Sequence, residues 1–173
     1  NTQSVLQLPE EQRYLLWVSL TDFARKHRRY SDAKWALPES LVTQVENTAK
    51  SLTPTKPIHL YQRLFSGNDF DLYEENGDWD KQREKLSLQR DDAIYKIFEN
   101  NGISGVLEFS KTVSSSSFVG FALGSINDRG IENELLPDFL TTNNYKKKDL
   151  IRDFIWRRFH LQGWDWCASE PRE

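Results

Sequence analysis

The side chains best suited to chemistry in this 173-residue chain are three histidines, one cysteine and a run of carboxylates. His27, His59 and His160 lie far apart, and none belongs to a His-x-x-x-His pair or a Cys/His cluster of the kind that binds a metal. His59, set between Ile58 and Leu60 at a helix start, reads as a packing or capping residue. Cys167 has no neighbouring group to lower its pKa, so a buried, unreactive thiol is expected. The carboxylates Asp69, Asp71, Glu74, Glu75, Asp78 and Asp80 succeed one another without an intervening base. Calcium is the sharp reading of such a stretch. The alternating ligands, central Gly and terminal Glu of an EF-hand are missing, however, and a solvated loop running into a negatively charged helix start explains it with fewer assumptions. Carboxylate pairs for glycoside hydrolysis would arise in any acidic loop of this length. Gly102 and Gly105 lack the spacing and the Lys-Ser/Thr partner of a phosphate loop. The expectation is a chain that is not an enzyme, with no catalytic residues, no metal and no cofactor.

Two basic clusters remain. Arg25, Lys26, His27, Arg28 and Arg29 form the first, and Lys146, Lys147, Lys148, Arg152, Arg157 and Arg158 the second. Side by side, they would make a stripe able to track a phosphate backbone, with Tyr30 and Trp35 available to stack on bases. The competing reading is that cations decorate helix ends and exposed faces. A net charge of -3 and a pI near 5.7 supply no global case for nucleic acid. An aromatic beside arginines is also a typical protein-interface anchor. Arg25, Lys26, Arg28, Arg29, Tyr30 and Trp35 are therefore the candidate contact surface, unless Trp35 plugs the gap between the first two helices.

The elements that must carry these residues read as helices throughout. Pro9, Glu10 and Glu11 open the first, which runs to about His27. Its apolar residues Tyr14, Leu15, Leu16, Trp17, Val18, Leu20 and Phe23 wrap most of the circumference, so contacts on more than one side are expected. Pro38 opens a second helix to about Leu52, ended by a turn with two prolines. A short third helix spans Ile58 to Phe65. Asp78 caps a long fourth one to about Asn100, with KQREK and QRDD facing water, and Gly102 is expected to end it as a left-handed cap. Residues 102 to 126 then read as two short apolar helices joined by four serines, one of which caps the second. Pro137 is expected to break or restart a helix near Leu135 to Leu140. The last helix, about Tyr145 to Leu161, has the stripe Leu150, Ile151, Phe154, Ile155 and Phe159, with Asp153 and Arg157 paired one turn apart on the other side. No strand alternation is visible. The fold class is all-α: an irregular stack of about eight short helices, α-solenoid-like or an orthogonal bundle, in one domain over residues 1–173.

Composition agrees with such a stack. Charged residues make up 28% of the chain and mean hydropathy is -0.70, yet 13% of residues are aromatic, which lets a thin core hold. One cysteine allows no intrachain disulfide and suits a reducing cytoplasm. No apolar run approaches the roughly 18 residues that suggest a membrane span. The N-terminus lacks the basic start and apolar stretch of a signal peptide. The chain contains no methionine, so a fragment of a larger protein is expected.

The segment HRRYSDAKWALPESL, residues 27 to 41, resembles one found in helical-repeat regions of large uncharacterised multidomain bacterial proteins. PIHLYQRLFS and the Gly-x-x-Gly-Val-Leu helix at 102 to 107 look similar to the later helices of those regions. The resemblance covers about residues 10 to 125 and implies a helical scaffold or sensor segment without catalytic residues. Such regions accompany nucleotide-binding or effector modules. The expected function is a non-enzymatic scaffold, protein-interaction or sensor segment. Its partners would be other domains of its parent or another protein, with no membrane. The alternative is a nucleic-acid-binding helical domain using residues 25–29 and 146–158.

Overall fold

A computed structural model describes residues 8–66 and 77–169. Among these the protein is all-α, with eight α-helices, one 3-10 turn and no strand. The acidic stretch expected at 69 to 80 lies outside the described residues up to position 76. The chain packs as two compact units, Asn1–Tyr61 with Asp71–Gln82, and Gln62–Phe70 with Arg83–Glu173.

In the first unit, α1 (Glu10–Arg29) packs on α2 (Glu39–Ser51), and α3 (Pro57–Tyr61) closes against α1. Prolines 9 and 38 sit just before the first helical residues, where no N–H is needed. Ala24 and Ala49 are buried, as are Val42 and Leu52. Arg28 ties the two long helices together: its guanidinium donates to Glu46 at 2.8 and 2.9 Å, to Glu39 at 3.0 Å and to Thr43 at 2.9 Å. Those three acceptors recur at helical spacing on one face of α2. Lys56 binds Glu10 at the start of α1 through its ammonium at 2.8 Å and its backbone N–H at 3.3 Å. The all-round burial expected of α1 does not occur, because Leu15, Leu16 and Phe23 are exposed. One face of α1 meets α2 and α3, and three apolar residues fall outside it.

The second unit is built on α4 (Trp79–Thr112), whose residues from Arg83 onward belong to it. Asp78 caps α4 by accepting from the Lys81 N–H at 3.0 Å. Gly102, at φ 62 and ψ -165, breaks the helix where a cap was expected, and the chain resumes as helix directly after it. Its ψ is far from the left-handed helical value, so this is a kink within one long element. The serine run comes next. Ser115 accepts from the Phe118 N–H at 3.4 Å and caps α5 (Ser116–Leu123), as expected. The Ser115 N–H and the Ser114 hydroxyl both donate to the Phe65 carbonyl of the 3-10 turn Gln62–Phe65. Helices α6 (Arg129–Thr141), α7 (Tyr145–Gln162) and α8 (Trp164–Ser169) complete the unit. Pro137 neither breaks nor restarts α6. Pro137 and Asn133 are both exposed, so the Asn133 carbonyl, left without its N–H donor, faces water.

The core of this unit includes Phe65, Ile94, Val106, Leu123, Leu135 and Phe154. α5 and α7 approach so closely that a Cβ on Gly120 would lie 1.9 Å from the Leu150 carbonyl oxygen. One turn on, a Cβ on Gly124 would meet the Phe154 oxygen at 2.9 Å. Part of the polar face of α4 expected to point to water instead packs inward. Arg90 donates to the Leu64 carbonyl and covers the Phe118 ring at 3.8 Å, and Asp91 meets Arg157 at 3.4 Å.

Candidate interaction surface

The residues expected to form a contact surface in the first unit come together at the end of α1. Trp35 sets its edge on His27 at 5.2 Å, lies 5.9 Å from Tyr30 and carries the Lys26 ammonium 5.4 Å from its ring centre. His27 is buried, and its Nδ1 accepts from the Leu37 N–H at 3.0 Å. Trp35 thus covers the turn between α1 and α2, with 51% of its surface still exposed. Arg25 lies 3.9 Å from Asp22, and Arg29 is exposed. Arg28 is bound into α2, and its carboxylate partners hold it charged well above the ordinary range. Beside it is a shallow cleft of about 520 Å³, lined by His27, Arg28, Leu37, Glu39 and Val42. His59 is half-buried, with its ring 5.6 Å from that of Tyr14.

The second basic cluster is mostly neutralised. Lys147 pairs with Asp138, Arg152 with Asp149 and Asp153 at 2.7 Å each, Arg157 with Asp91, and Arg158 with Glu132 at 2.7 Å. Four of the six cations therefore have carboxylate partners, and Lys146 donates to the Val113 carbonyl at 3.3 Å. The expected Asp153–Arg157 pair does not form. Asp153 accepts from Ser117 of α5 and from Arg152, while Arg157 lies over the Phe121 ring at 4.5 Å and reaches Asp91. Burial pushes the Asp91 carboxyl up, with Arg157 opposing.

Arg158 and Glu132 are both 2% exposed. Trp166 donates to the same Glu132 oxygen at 2.8 Å, and Arg158 also donates to Asn127 at 2.8 Å. This network fastens α6, α7 and α8 together. It turns Trp166 inward and leaves Cys167 exposed, contrary to the expected burial of the thiol. Among the described residues, no group of three or more His, Cys, Asp or Glu side chains has the geometry to hold a metal.

The surface that sequence reasoning missed is the outer face of α7. Leu150, Ile151, Phe154 and Arg158 are buried on its inner side. Tyr145, Lys148, Arg152, Trp156, Phe159 and His160 are exposed. At 100° per residue these six positions fall within about 120° of one another and extend for about 22 Å. Phe159, expected in the buried stripe, is 39% exposed. Trp156 is 56% exposed, stacks parallel on His160 at 5.3 Å and leans on Phe121 at 5.7 Å. Phe159 meets the edge of Trp164, itself 78% exposed, at 5.2 Å. The signal was present as aromatics and cations at spacings of three and four from Tyr145 to His160. No protein-family model, no curated protein and no solved structure matches the chain.

Proposed function

We propose that this chain is a non-enzymatic, all-α scaffold or protein-interaction segment. It would belong to the kind of large, cytoplasmic bacterial protein whose helical regions it resembles, and its main contact surface would be the outer face of α7. The observation that carries this reading is the pre-assembled aromatic platform of Phe121, Trp156 and His160, flanked by Phe159 and Trp164, on a helix whose opposite face is fully engaged. Exposed Trp and Phe side chains held rigid by their neighbours lose little entropy on binding, and aromatic residues are enriched at interfaces. Trp35 is a secondary candidate, because its ring is already used to cover His27. Nucleic-acid binding through residues 25–29 and 146–158 has less support. Arg28, Lys147, Arg152, Arg157 and Arg158 already hold carboxylates, and each phosphate contact would have to displace one.

The test is photo-crosslinking in the cells of origin, with His160 replaced by p-benzoylphenylalanine and, as a control, exposed Glu99 of α4 replaced likewise. A discrete protein adduct from position 160, lost on adding Trp156→Ala, is expected. Equal adducts from both positions, or none from 160, would refute the assignment.

A further inference from the structure

Among the described side chains of α8, Trp166 alone is buried, at 6% exposed, while Trp164, Asp165, Cys167 and Ala168 lie at the surface. Its socket is built by α6 and α7. The indole N–H donates to Glu132 Oε1 at 2.8 Å, the same oxygen that accepts from Arg158 Nε at 2.8 Å. Asn127, just before α6, accepts from Arg158 at 2.8 Å and from Gln162 at 3.2 Å. The socket is thus held together by bonds that do not involve Trp166. The joint between α7 and α8 is Gly163, at φ 61 and ψ -147. That conformation lies at the edge of a region essentially reserved for glycine. A Cβ on Gly163 would meet nothing within 4 Å, so the backbone angles alone call for glycine there. Glycine also tolerates helical angles. With them, α7 would run straight into α8. Trp166 would then fall within about 20° of Phe159 around the axis and about 10 Å further along. Phe159 is 39% exposed, on the side away from the socket, so straightening carries Trp166 out of its own socket.

We infer that Gly163 is a hinge and that α8 exchanges between two copies of this chain, Trp166 of each seating against Glu132 and Arg158 of the other. The occupant is set by the one already in place. The socket matches an indole with its N–H aimed at a carboxylate, and a second copy brings the identical side chain on the identical helix. Opening without exchange leaves a large aromatic ring in water and takes one donor from Glu132. Reciprocal exchange restores both, and it closes as a two-fold pair with no socket left over. Each α8 keeps its own contacts, so the only new requirement is a straight joint at residue 163. The surface involved lies between α6 and α7, so the inference goes beyond the reading of the outer face of α7 and does not depend on it.

The experiment is sedimentation equilibrium of the full chain, unaltered and as Gly163→Ala. Alanine opposes the bend and favours a continuous helix, so the variant should dimerise at a concentration at least about tenfold lower. Adding Trp166→Ala to Gly163→Ala should return it to a monomer, and adding Trp156→Ala should not. Fluorine NMR of the fluorotryptophan-labelled Gly163→Ala dimer then locates the indole. The Trp166 resonance, identified by its loss in Trp166→Phe, should keep the position it has in the unaltered chain. Thermal melting checks that each variant is folded. If Trp166→Ala melts early, Trp166→Phe takes its place: it keeps a ring but loses the N–H, and should weaken the Gly163→Ala dimer at least about fivefold. A Gly163→Ala monomer overturns the proposal, whether its Trp166 stays buried, so that residue 163 is no hinge, or moves into water, so that α8 opens without exchange. A dimer indifferent to both changes at Trp166 overturns it as well, and one lost with Trp156→Ala assigns the contact to the outer face of α7 instead.

Discussion

Replacing Gly120 by Ala tests the tightest contact in the second unit. In an open helix this change stabilises by about 1 kcal/mol, because Ala loses less backbone entropy than Gly. Here the new Cβ would lie 1.9 Å from the Leu150 carbonyl oxygen and 2.7 Å from its carbon. Both are backbone atoms of α7, so no side-chain rotation relieves the clash. Reaching even 3.0 Å requires α5 and α7 to separate by 1.1 Å. A gap of about 1 Å forfeits up to half of each dispersion contact along the seam, which includes Val119, Leu123, Leu150 and Phe154. Overpacking of this kind costs about 3 kcal/mol, the upper end of its usual range. Set against the helix-propensity gain, the net loss is about 2 kcal/mol, or roughly 4–8 °C in Tm for a chain of this length.

The assay is thermal unfolding monitored by circular dichroism, with Gly130→Ala as the control. A Cβ on Gly130 meets no backbone, only the Asp128 carboxylate, whose oxygen lies at 3.0 Å and caps α6 by accepting from the Gly130 N–H at 2.7 Å. Gly130→Ala should therefore cost no more than about 1 kcal/mol, the typical worth of a cap. If Gly120→Ala melts at or above the temperature of the unaltered protein, the close approach of α5 and α7 does not exist in solution and the argument fails.

Glu132→Gln should cost about 3–5 kcal/mol, because it leaves the Arg158 guanidinium buried without a counter-charge. The double replacement Glu132→Leu with Arg158→Met should recover most of that loss, and urea unfolding that finds Glu132→Gln within about 1 kcal/mol of the unaltered protein would contradict the burial of the pair. Stability against pH should carry two opposite carboxylate contributions. Glu46 is held below the ordinary range chiefly by its hydrogen bonds from Arg28, and Glu10 likewise by Lys56. Their stabilisation is present above the unfolded glutamate pKa of about 4.3 and is lost as pH falls through the lower folded values. Asp91 is raised by burial, so the folded form takes up its proton first, and acidification from neutral toward about 4 favours folding at that site. Denaturation midpoints across pH should show a shallower acid loss for Glu46→Gln and a smaller gain on mild acidification for Asp91→Asn. An unchanged profile in either variant would contradict its assignment.

The helices were legible because their signals are local. Proline at 9 and 38, aspartate at 78 and a serine of the run mark helix starts through groups within four residues of one another, and each start is observed within a residue of where it was expected, the serine being Ser115. The faces were less legible. Arg90 and Asp91 carry charges that, by composition, belong in water. Their partners, the Leu64 carbonyl, the Phe118 ring and Arg157, come from three other segments that no local pattern names. Phe159 looks like a core residue by type and spacing. The buried stripe of α7 is instead completed by Arg158, which is apolar along its stem and matched at its head by Glu132. A charged residue took the inward position, and the phenyl ring beside it turned outward.

That exchange ties the candidate interface to the architecture. Phe121 lies between Gly120 and Gly124, two positions at which the chain comes close to the backbone of α7. With both glycines pressed on α7, the Phe121 ring comes to rest 5.7 Å from Trp156, and Arg157 closes over it. The platform on the outer face is therefore supported from below by the same close approach that makes alanine costly at position 120. An exposed Trp on an isolated helix would sample several rotamers and lose that freedom on binding. Here Trp156 is braced on one side by Phe121 and on the other by His160, one turn further along α7. The glycines thus pre-organise the aromatic surface without touching a partner. Stability and recognition are therefore coupled at Trp156, and a change at Gly120 should disturb both.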